Sequence, residues 1–546
     1  MSKKRQAHSP DHTDSELPSS FPPSSPAPRS PSLVVTPPCG PVRGKLDQQE
    51  RVRLFLGIPY ACPPVNELRW QPPQPIPPWT GLREASQPGM PAPQNPNHLF
   101  DIRGPNGQEP EDEDCLYLNI YAPAKPCKPQ LPVMVWIHGG AFYLGSGCQP
   151  LYDGRALAAS GRAIVVTLNY RLGALGFLRL QDISDIPASG NEGILDQTCA
   201  LRWVQENIAA FGGDPQNITL FGESAGAMSI ATLLAATDAN DQLLAGHLFH
   251  KVIVQSGNPG VFHSCEKASR LSRRFLDHLD NVCGQSKRLP HQPTTRELLR
   301  AQEQLLNDPD TERNWGHLPF KPVMDGDFLK RLPMEALQSG SSSRVAMIVG
   351  SNRDEWNLFS AARPESFRLD HLQVCQYLRP LIPEQLLSHL LEHYRLRAEM
   401  LVDNPWPIWA RTWNLMLTDM VFTIPGLRLL QAHTGPKYHY HFAQPLNAHP
   451  LLGACHAAEL GYVFGTHEDA RLRHLYGGNT DAHCLSRRMR EAWLSFAESG
   501  CPGDDWPGFE QGHSRIFGND QVSTLDSYAL NHLWQALDDH QLRCLL

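Results

Sequence analysis

The chain has 546 residues, 41% of them hydrophobic, which is enough to build a large buried core in a single unit. Its net charge of −8, with no basic stripe, argues against nucleic acid as a partner. No stretch of about eighteen apolar residues occurs, so no membrane span is expected, and residues 1–30 lack the apolar core of a secretory signal.

Residues 1–32 are rich in Ser and Pro and cannot bury enough apolar surface to offset the entropy of ordering, so this segment is expected to be disordered. Folded sequence begins near Leu33-Val34-Val35. Strand-like runs follow at 53–56, 116–121, 133–137 and 163–168. The last two are apolar on both faces, as strands inside a mostly parallel sheet must be. An amphipathic helix is predicted over Leu195 to Ala209, with Leu195, Cys199, Leu201, Val204 and Ile208 facing inward. Phe211-Gly212-Gly213-Asp214-Pro215 ends it. A strand at 217–221 and a small-residue helix from Ala227 come next, then strands at 251–255, 345–349 and 438–442. Residues 265–340 and 365–435 read as helical insertions. Alternating strands and helices predict an α/β fold with a large, mostly parallel, twisted central sheet flanked by helices. No internal repeat is present. The thirteen cysteines show no C-x-x-C pair or His/Cys cluster, so neither a metal site nor a disulfide framework is expected. Reduced thiols in a cytoplasmic protein are the default reading.

Chemistry concentrates at Gly222-Glu223-Ser224-Ala225-Gly226, between the strand and the helix. Strand, G-x-S-x-G, helix is the nucleophile elbow of an α/β-hydrolase. A serine hydroxyl needs a base in reach and an acid to orient the base. On this fold the acid and then the base follow the serine in the chain. Glu355 is the candidate acid, because Gly350-Ser351-Asn352-Arg353-Asp354-Glu355 leaves the carboxyl end of a strand, where sites of open α/β sheets lie. Asp354 is its local competitor. Among 24 histidines, His456 is selected by its place after the acid and after a strand. The glycine-rich turn His138-Gly139-Gly140-Ala141-Phe142 offers the N–H groups of Gly140 and Ala141 as oxyanion donors, joined by that of Ala225.

The chain resembles the type-B carboxylesterases of the cholinesterase and carboxylesterase family, most of all the bacterial and fungal esterases of the p-nitrobenzyl esterase kind. The motifs that carry the likeness run from about Leu33 to about Phe509. They include Phe55-Leu56-Gly57-Ile58-Pro59-Tyr60-Ala61, Glu113-Asp114-Cys115-Leu116, Trp136-Ile137-His138-Gly139-Gly140-Ala141-Phe142, Asn169-Tyr170-Arg171-Leu172 and Gly190-Asn191-Glu192-Gly193. Gly222 to Gly226, Arg353-Asp354-Glu355 and His456 through Gly465 complete the set.

The resemblance implies an α/β-hydrolase domain over 33–546, with helical insertions around an active-site gorge. It implies Ser224 as nucleophile, Glu355 as acid, His456 as base, oxyanion donors at Gly140, Ala141 and Ala225, and Glu223 and Ser256 beside the triad. The implied activity is hydrolysis of small-molecule carboxylic esters through an acyl-enzyme, with no metal or organic cofactor. A dedicated lipase, or a carbamate or toxin-ester hydrolase, is the alternative within enzymes; a non-catalytic binding module is the remote one. Phe142, Tyr143, Trp356 and Phe359 are candidates to line the gorge. Secreted relatives pair the cysteine matching Cys115 with an upstream one, which is missing at the family spacing, as is a partner shortly after Cys283; this agrees with a reducing compartment. The stretch Pro105 to Pro110 carries no Trp or Tyr, so a choline specialist is not expected. Asn217-Ile218-Thr219 reads as part of a buried strand rather than as a glycosylation sequon.

Overall fold

The strands predicted to be apolar on both faces do divide their side chains between two cores. In Leu131–Ile137 every residue is buried. Val133, Val135 and Ile137 enter one core, while Met134 and Trp136 enter the other, on the opposite face of the sheet. Ile164–Leu168 beside it is equally buried. Such strands can only sit inside a sheet covered on both sides.

The computed structural model describes residues 32–96, 110–283, 293–401, 404–477, 480–518, 522–524 and 527–538. Apart from Ser32, the expected disordered segment 1–32 lies outside the described residues. From Leu33 on, the chain forms one compact unit. Among the described residues its main sheet has eleven strands: β1 Lys45–Leu46, β2 Val52–Pro59, β3 Tyr117–Pro123, β4 Leu131–Ile137, β5 Ile164–Leu168, β6 Gly213–Glu223, β7 Lys251–Gln255, β8 Ala346–Asn352, β9 Lys437–Phe442, β10 His513–Phe517 and β11 Val522–Thr524. They lie in the order β11-β10-β9-β8-β7-β6-β4-β5-β3-β2-β1. All pairings from β10 across to β5 are parallel. The pairings at both edges are antiparallel. The carboxyl ends of β4, β6 and β8 therefore open on one edge, next to the reversal of strand order at β4, where open α/β sheets bind ligands.

Helix α1, Glu192–Asn207, starts three residues before the predicted helix, because the buried Glu192 carboxylate accepts from Ser189 N, Ser189 Oγ and Gly190 N at 2.7, 2.9 and 3.0 Å. This shifts the inward face. Ile194, Leu201 and Val204 are buried as that face requires, but Leu195 and Cys199 are only half-buried. Asp196 takes an inward position instead, held by Arg171. The 265–340 insertion is helical at Cys265–Cys283, Thr295–Leu306, Pro309–Trp315 and Pro333–Gln338, interrupted by a short strand at Val323–Met324. The 365–435 insertion includes Ile408–Thr418, a π-helical turn over Asp419–Thr423, and Ile424–Ala432. The twelve described cysteines are all free thiols. No described helix is long and apolar enough to cross a membrane.

The turn from β6 into helix α2, Ala225–Ala235, shows why its glycines are required. A Cβ on Gly222 would lie 2.8 Å from the Ile137 carbonyl oxygen and from the Gly226 carbonyl carbon. On Gly226 it would run into the Ile137 carbonyl itself. These neighbours are backbone and cannot rotate away. Gly226→Ala is expected to cost about 1–3 kcal/mol or more, the range for forcing atoms into a packed interior. A urea midpoint equal to that of the unmodified protein would contradict this packing.

Candidate active site

Ser224 occupies the tip of the β6–α2 turn at φ 54° and ψ −123°, a conformation that costs a non-glycine residue energy and is held by its surroundings. Its own N–H donates to the Gln255 carbonyl at 3.0 Å, which ties the turn to β7. Ala225, fully buried, begins α2. The preceding Glu223 is buried, and its carboxylate packs against Gly139, where a Cβ would stand 2.8 Å from Glu223 Oε2 and 3.2 Å from Ser224 Cβ. The glycine at 139 is thus what lets the β4 turn approach the serine.

That turn carries a second cluster of left-handed residues, Gly140 at φ 105°, Ala141 at 56° and Phe142 at 63°. It is closed by the Tyr143 and Leu144 N–H groups donating to the Gly140 carbonyl. Gly140, Ala141 and Ala225 have N–H groups with no acceptor among the described residues. His138 is structural. Its ring stacks on Tyr170 at 4.4 Å, Nδ1 lies 2.8 Å from the Gly139 carbonyl, and burial pushes its pKa down to about 4, so it stays neutral.

His456 reaches the site from the loop after β9. Its Nδ1 lies 2.6 Å from Glu355 Oε2. The other oxygen of Glu355 accepts from Ser256 Oγ at 2.5 Å and from Asn352 N–H at 2.7 Å, so the carboxylate is locked on both sides. Ser256 itself sits at φ 52°. His456 Nε2 lies 3.0 Å from Glu223 Oε1, an ion-pair distance without the angle of a hydrogen bond, since that oxygen has no hydrogen-bond partner. No hydrogen bond joins Nε2 to Ser224 Oγ. Burial alone would depress the imidazole pKa, but the Glu223 and Glu355 carboxylates outweigh it and hold the ring well above the usual histidine range. Phe359 and Phe422 cover the ring at 5.1 and 4.8 Å between centroids. The competitor Asp354 does other work: its carboxylate accepts from the Ala454 N–H at 2.8 Å and closes the loop that delivers His456.

Ser224 and His456 line one cavity of about 300 Å³, with Glu223, Gly140, Ala141, Tyr143, Trp356 and Phe359 also in its wall. Phe142 is a correction. It is fully buried and packs edge-to-face on Phe177 at 5.1 Å, away from the cavity, because its left-handed backbone turns the side chain into the core. The segment 105–110, expected to lack a choline-holding aromatic, lies outside the described residues except for Pro110.

Several wall residues were not foreseen. Met228, Trp413 and Phe422 supply apolar surface, His317 reaches the cavity from the 265–340 insertion, and Arg363 reaches it from the end of the Trp356–Ala362 helix. Glu312 pairs with both, at 2.9 Å to His317 and 2.7 Å to Arg363. The hydrogen bond from His317, helped by Arg363, holds its carboxyl down at about 2. Behind the site, buried Glu459 accepts from Asn352 Nδ2 at 2.6 Å and Gln255 Nε2 at 2.9 Å. Burial, with Glu223 and Glu355 nearby, lifts it to about 7. The only signal for Glu459 in the sequence is its place three residues after His456. Nothing local marks His317 or Arg363.

A serine on a strained strand-to-helix elbow, sharing a cavity with an imidazole locked onto a carboxylate, is the layout of an ester-cleaving α/β-hydrolase. The chain belongs to the carboxylesterase family, whose sequence profile matches residues 31–532. It is 37% identical to the para-nitrobenzyl esterase of Bacillus subtilis (strain 168) over 483 residues, 88% of this chain and 93% of that one. It is 33% identical to the cocaine esterase of Homo sapiens, over 84% of this chain and 82% of that one. Among solved structures it is similar to a Geobacillus stearothermophilus carboxylesterase crystallised at pH 6.2, with a TM-score of 0.78, 36% identity, and coverage of 92% of this chain and 100% of the other. The chain is a carboxylic ester hydrolase of the α/β-hydrolase fold, acting by serine chemistry on small-molecule esters.

Proposed function

We propose that Ser224 is the nucleophile, His456 the general base and Glu355 the acid that orients it, within a single carboxylesterase domain over 33–546. The observation that carries this reading is the shared cavity, with Nδ1 of His456 committed to Glu355 and Nε2 lying 3.0 Å from the carboxylate of Glu223, the residue before Ser224. In the reaction, Nε2 exchanges Glu223 for Ser224 Oγ and takes its proton as Oγ attacks the ester carbonyl. The oxyanion accepts from the unused N–H groups of Gly140, Ala141 and Ala225, each of which contributes about 10²–10³ in rate in such a role. The imidazolium then protonates the departing alcohol and leaves an acyl-enzyme. Water gives a proton to Nε2, attacks the acyl carbon and releases the acid, restoring the Ser224 hydroxyl. Glu355 and Ser256 hold the ring in one tautomer throughout. Tyr143, Trp356 and Phe359 bind the apolar part of the ester, and a cavity of about 300 Å³ suits small acyl and alcohol groups better than long lipid chains.

Labelling with an organophosphate tests the nucleophile directly. A single adduct mapped by peptide mass to Ser224 is expected; an adduct on another serine overturns the assignment. A cytoplasmic location is the accompanying proposal, supported by the free thiols.

Glu223 has a distinct signature. His456 must be neutral to accept a proton, and its pKa is raised by two carboxylates. The acid limb of kcat/KM therefore lies above the usual histidine range. Glu223→Gln removes one of the two charges, so the limb should move down by about 1 unit or more. An unmoved limb would show that Glu223 is not coupled to the base.

A further inference from the structure

Away from the cavity, two histidines and a carboxylate converge where the loop after the Leu460–Phe464 helix meets the Thr480–Ser499 helix. The ligand-capable atoms of His467, Glu468 and His483 all lie within 4.8 Å of one another. We propose that these three side chains form a binding site for a divalent transition-metal ion of the zinc class, which clips the Thr480–Ser499 helix to the segment that follows the His456 loop.

The donor set and its surroundings carry the inference. Two imidazoles and one carboxylate are a ligand set that zinc takes, with a fourth position left for water. Around a tetrahedral ion with bonds of roughly 2.0–2.1 Å, donor atoms stand roughly 3.4 Å apart. A spread within 4.8 Å closes to that value with side-chain rotation alone. His483 and Glu468 are exposed and free to make that adjustment. His467 is the fixed member. It is buried, stacked on Tyr462 at 5.3 Å, and its Nδ1 lies 3.3 Å from the Gly461 carbonyl. A metal-binding histidine usually donates its second ring N–H to such a carbonyl, which fixes the tautomer and leaves the other nitrogen bare. Here that other nitrogen, Nε2, is buried and has no hydrogen-bond partner. An orphaned buried nitrogen costs energy unless something occupies it. Burial also holds His467 below the usual histidine range, in the neutral form that ligation requires.

His483 Nε2 lies 2.6 Å from Glu468 Oε1, so two of the three donors already stand together. Ligation needs deprotonated donors, so protons compete with the ion and affinity falls as pH is lowered. Arg490 adds a positive charge that acts on His467, and its Nη1 donates to the Ala156 carbonyl at 3.4 Å. The site lies outside the reading of the sequence because fifteen residues and a change of element separate Glu468 from His483.

The test uses the full chain, stripped with chelator and titrated with Zn²⁺ by calorimetry, with Co²⁺ absorption as a second readout of ligand geometry. One equivalent of Zn²⁺ should bind, with a matching rise in Tm and a tetrahedral cobalt spectrum. His483→Asn, at an exposed position, should keep the fold and weaken that equivalent at least tenfold, abolishing the cobalt band. His467→Asn should do the same, provided its far-ultraviolet spectrum is native; if it does not fold, the His483→Asn and Glu468→Gln pair decides. Absence of stoichiometric binding to the unmodified protein overturns the proposal. So does binding that His483→Asn and Glu468→Gln leave unchanged, since the ion would then sit on other histidines.

Discussion

Ser224→Ala is expected to lower kcat/KM for a p-nitrophenyl ester by about 10⁴–10⁶, because removal of a triad nucleophile in serine hydrolases costs that much. The substitution deletes one oxygen at a half-exposed position and leaves the turn otherwise intact. Alanine tolerates φ 54° no worse than serine, so the Tm should stay within a few degrees. The residual rate would come from the cavity and the donors at Gly140, Ala141 and Ala225. A loss smaller than about tenfold would place the nucleophile elsewhere in the cavity, because background catalysis alone cannot sustain such a rate.

The largest expected effect on stability lies outside the cavity, at Asp196. Its carboxylate binds Arg171 through two parallel contacts, Nε to Oδ2 at 2.8 Å and Nη2 to Oδ1 at 2.7 Å, and also accepts the Arg171 backbone N–H at 3.0 Å. The two side chains are 3% and 0% exposed, so neither charge has water to fall back on. Burial opposes the Arg171 charge, and Asp196 more than restores it. Asp196→Ala leaves that guanidinium with the Gln71 carbonyl at 2.7 Å as its hydrogen-bond acceptor among the described residues. A cost of about 3–5 kcal/mol in urea unfolding is expected, the range for breaking a buried pair from one side. Replacing both residues with apolar ones of similar volume should recover much of the loss. A cost below about 1 kcal/mol for Asp196→Ala would mean that the pair is solvated in solution. The effect reaches function because Arg171 leads into the Gly173 turn, whose N–H donates to the Phe142 carbonyl and so braces the Gly140–Ala141 turn.

Local signals made much of this site readable. The elbow is marked by glycines at 222 and 226 in one short motif, although the Ile137 carbonyl that requires them comes from a distant strand, and the strands at 133–137 and 163–168 announce burial by being apolar on both faces. Glu355 and His456 follow from chain order on a known fold. Phe142 was misread because an aromatic beside an oxyanion turn looks the same in sequence whether it faces a cavity or the core; its φ of 63° decides, and sequence does not reveal it. Leu195 and Cys199 were misplaced because Glu192, buried by its bonds to Ser189 and Gly190, starts the helix earlier, and Asp196, held by Arg171 from another segment, takes an inward position.

What the amino-acid order determined by itself is the reaction: a serine, an acid and a base of the right kinds, in the order this fold requires, with a glycine-rich turn ahead of them. Those features reside in short segments whose backbone geometry is set by neighbouring residues. What only tertiary structure decided is which groups stand around that chemistry. Nε2 of His456 faces Glu223, Glu459 is buried beside Asn352 and Gln255, and Glu312 links His317 to Arg363 at the cavity wall. These arrangements arise from packing between elements tens to hundreds of residues apart, where burial and mutual charge, rather than local pattern, set position and protonation.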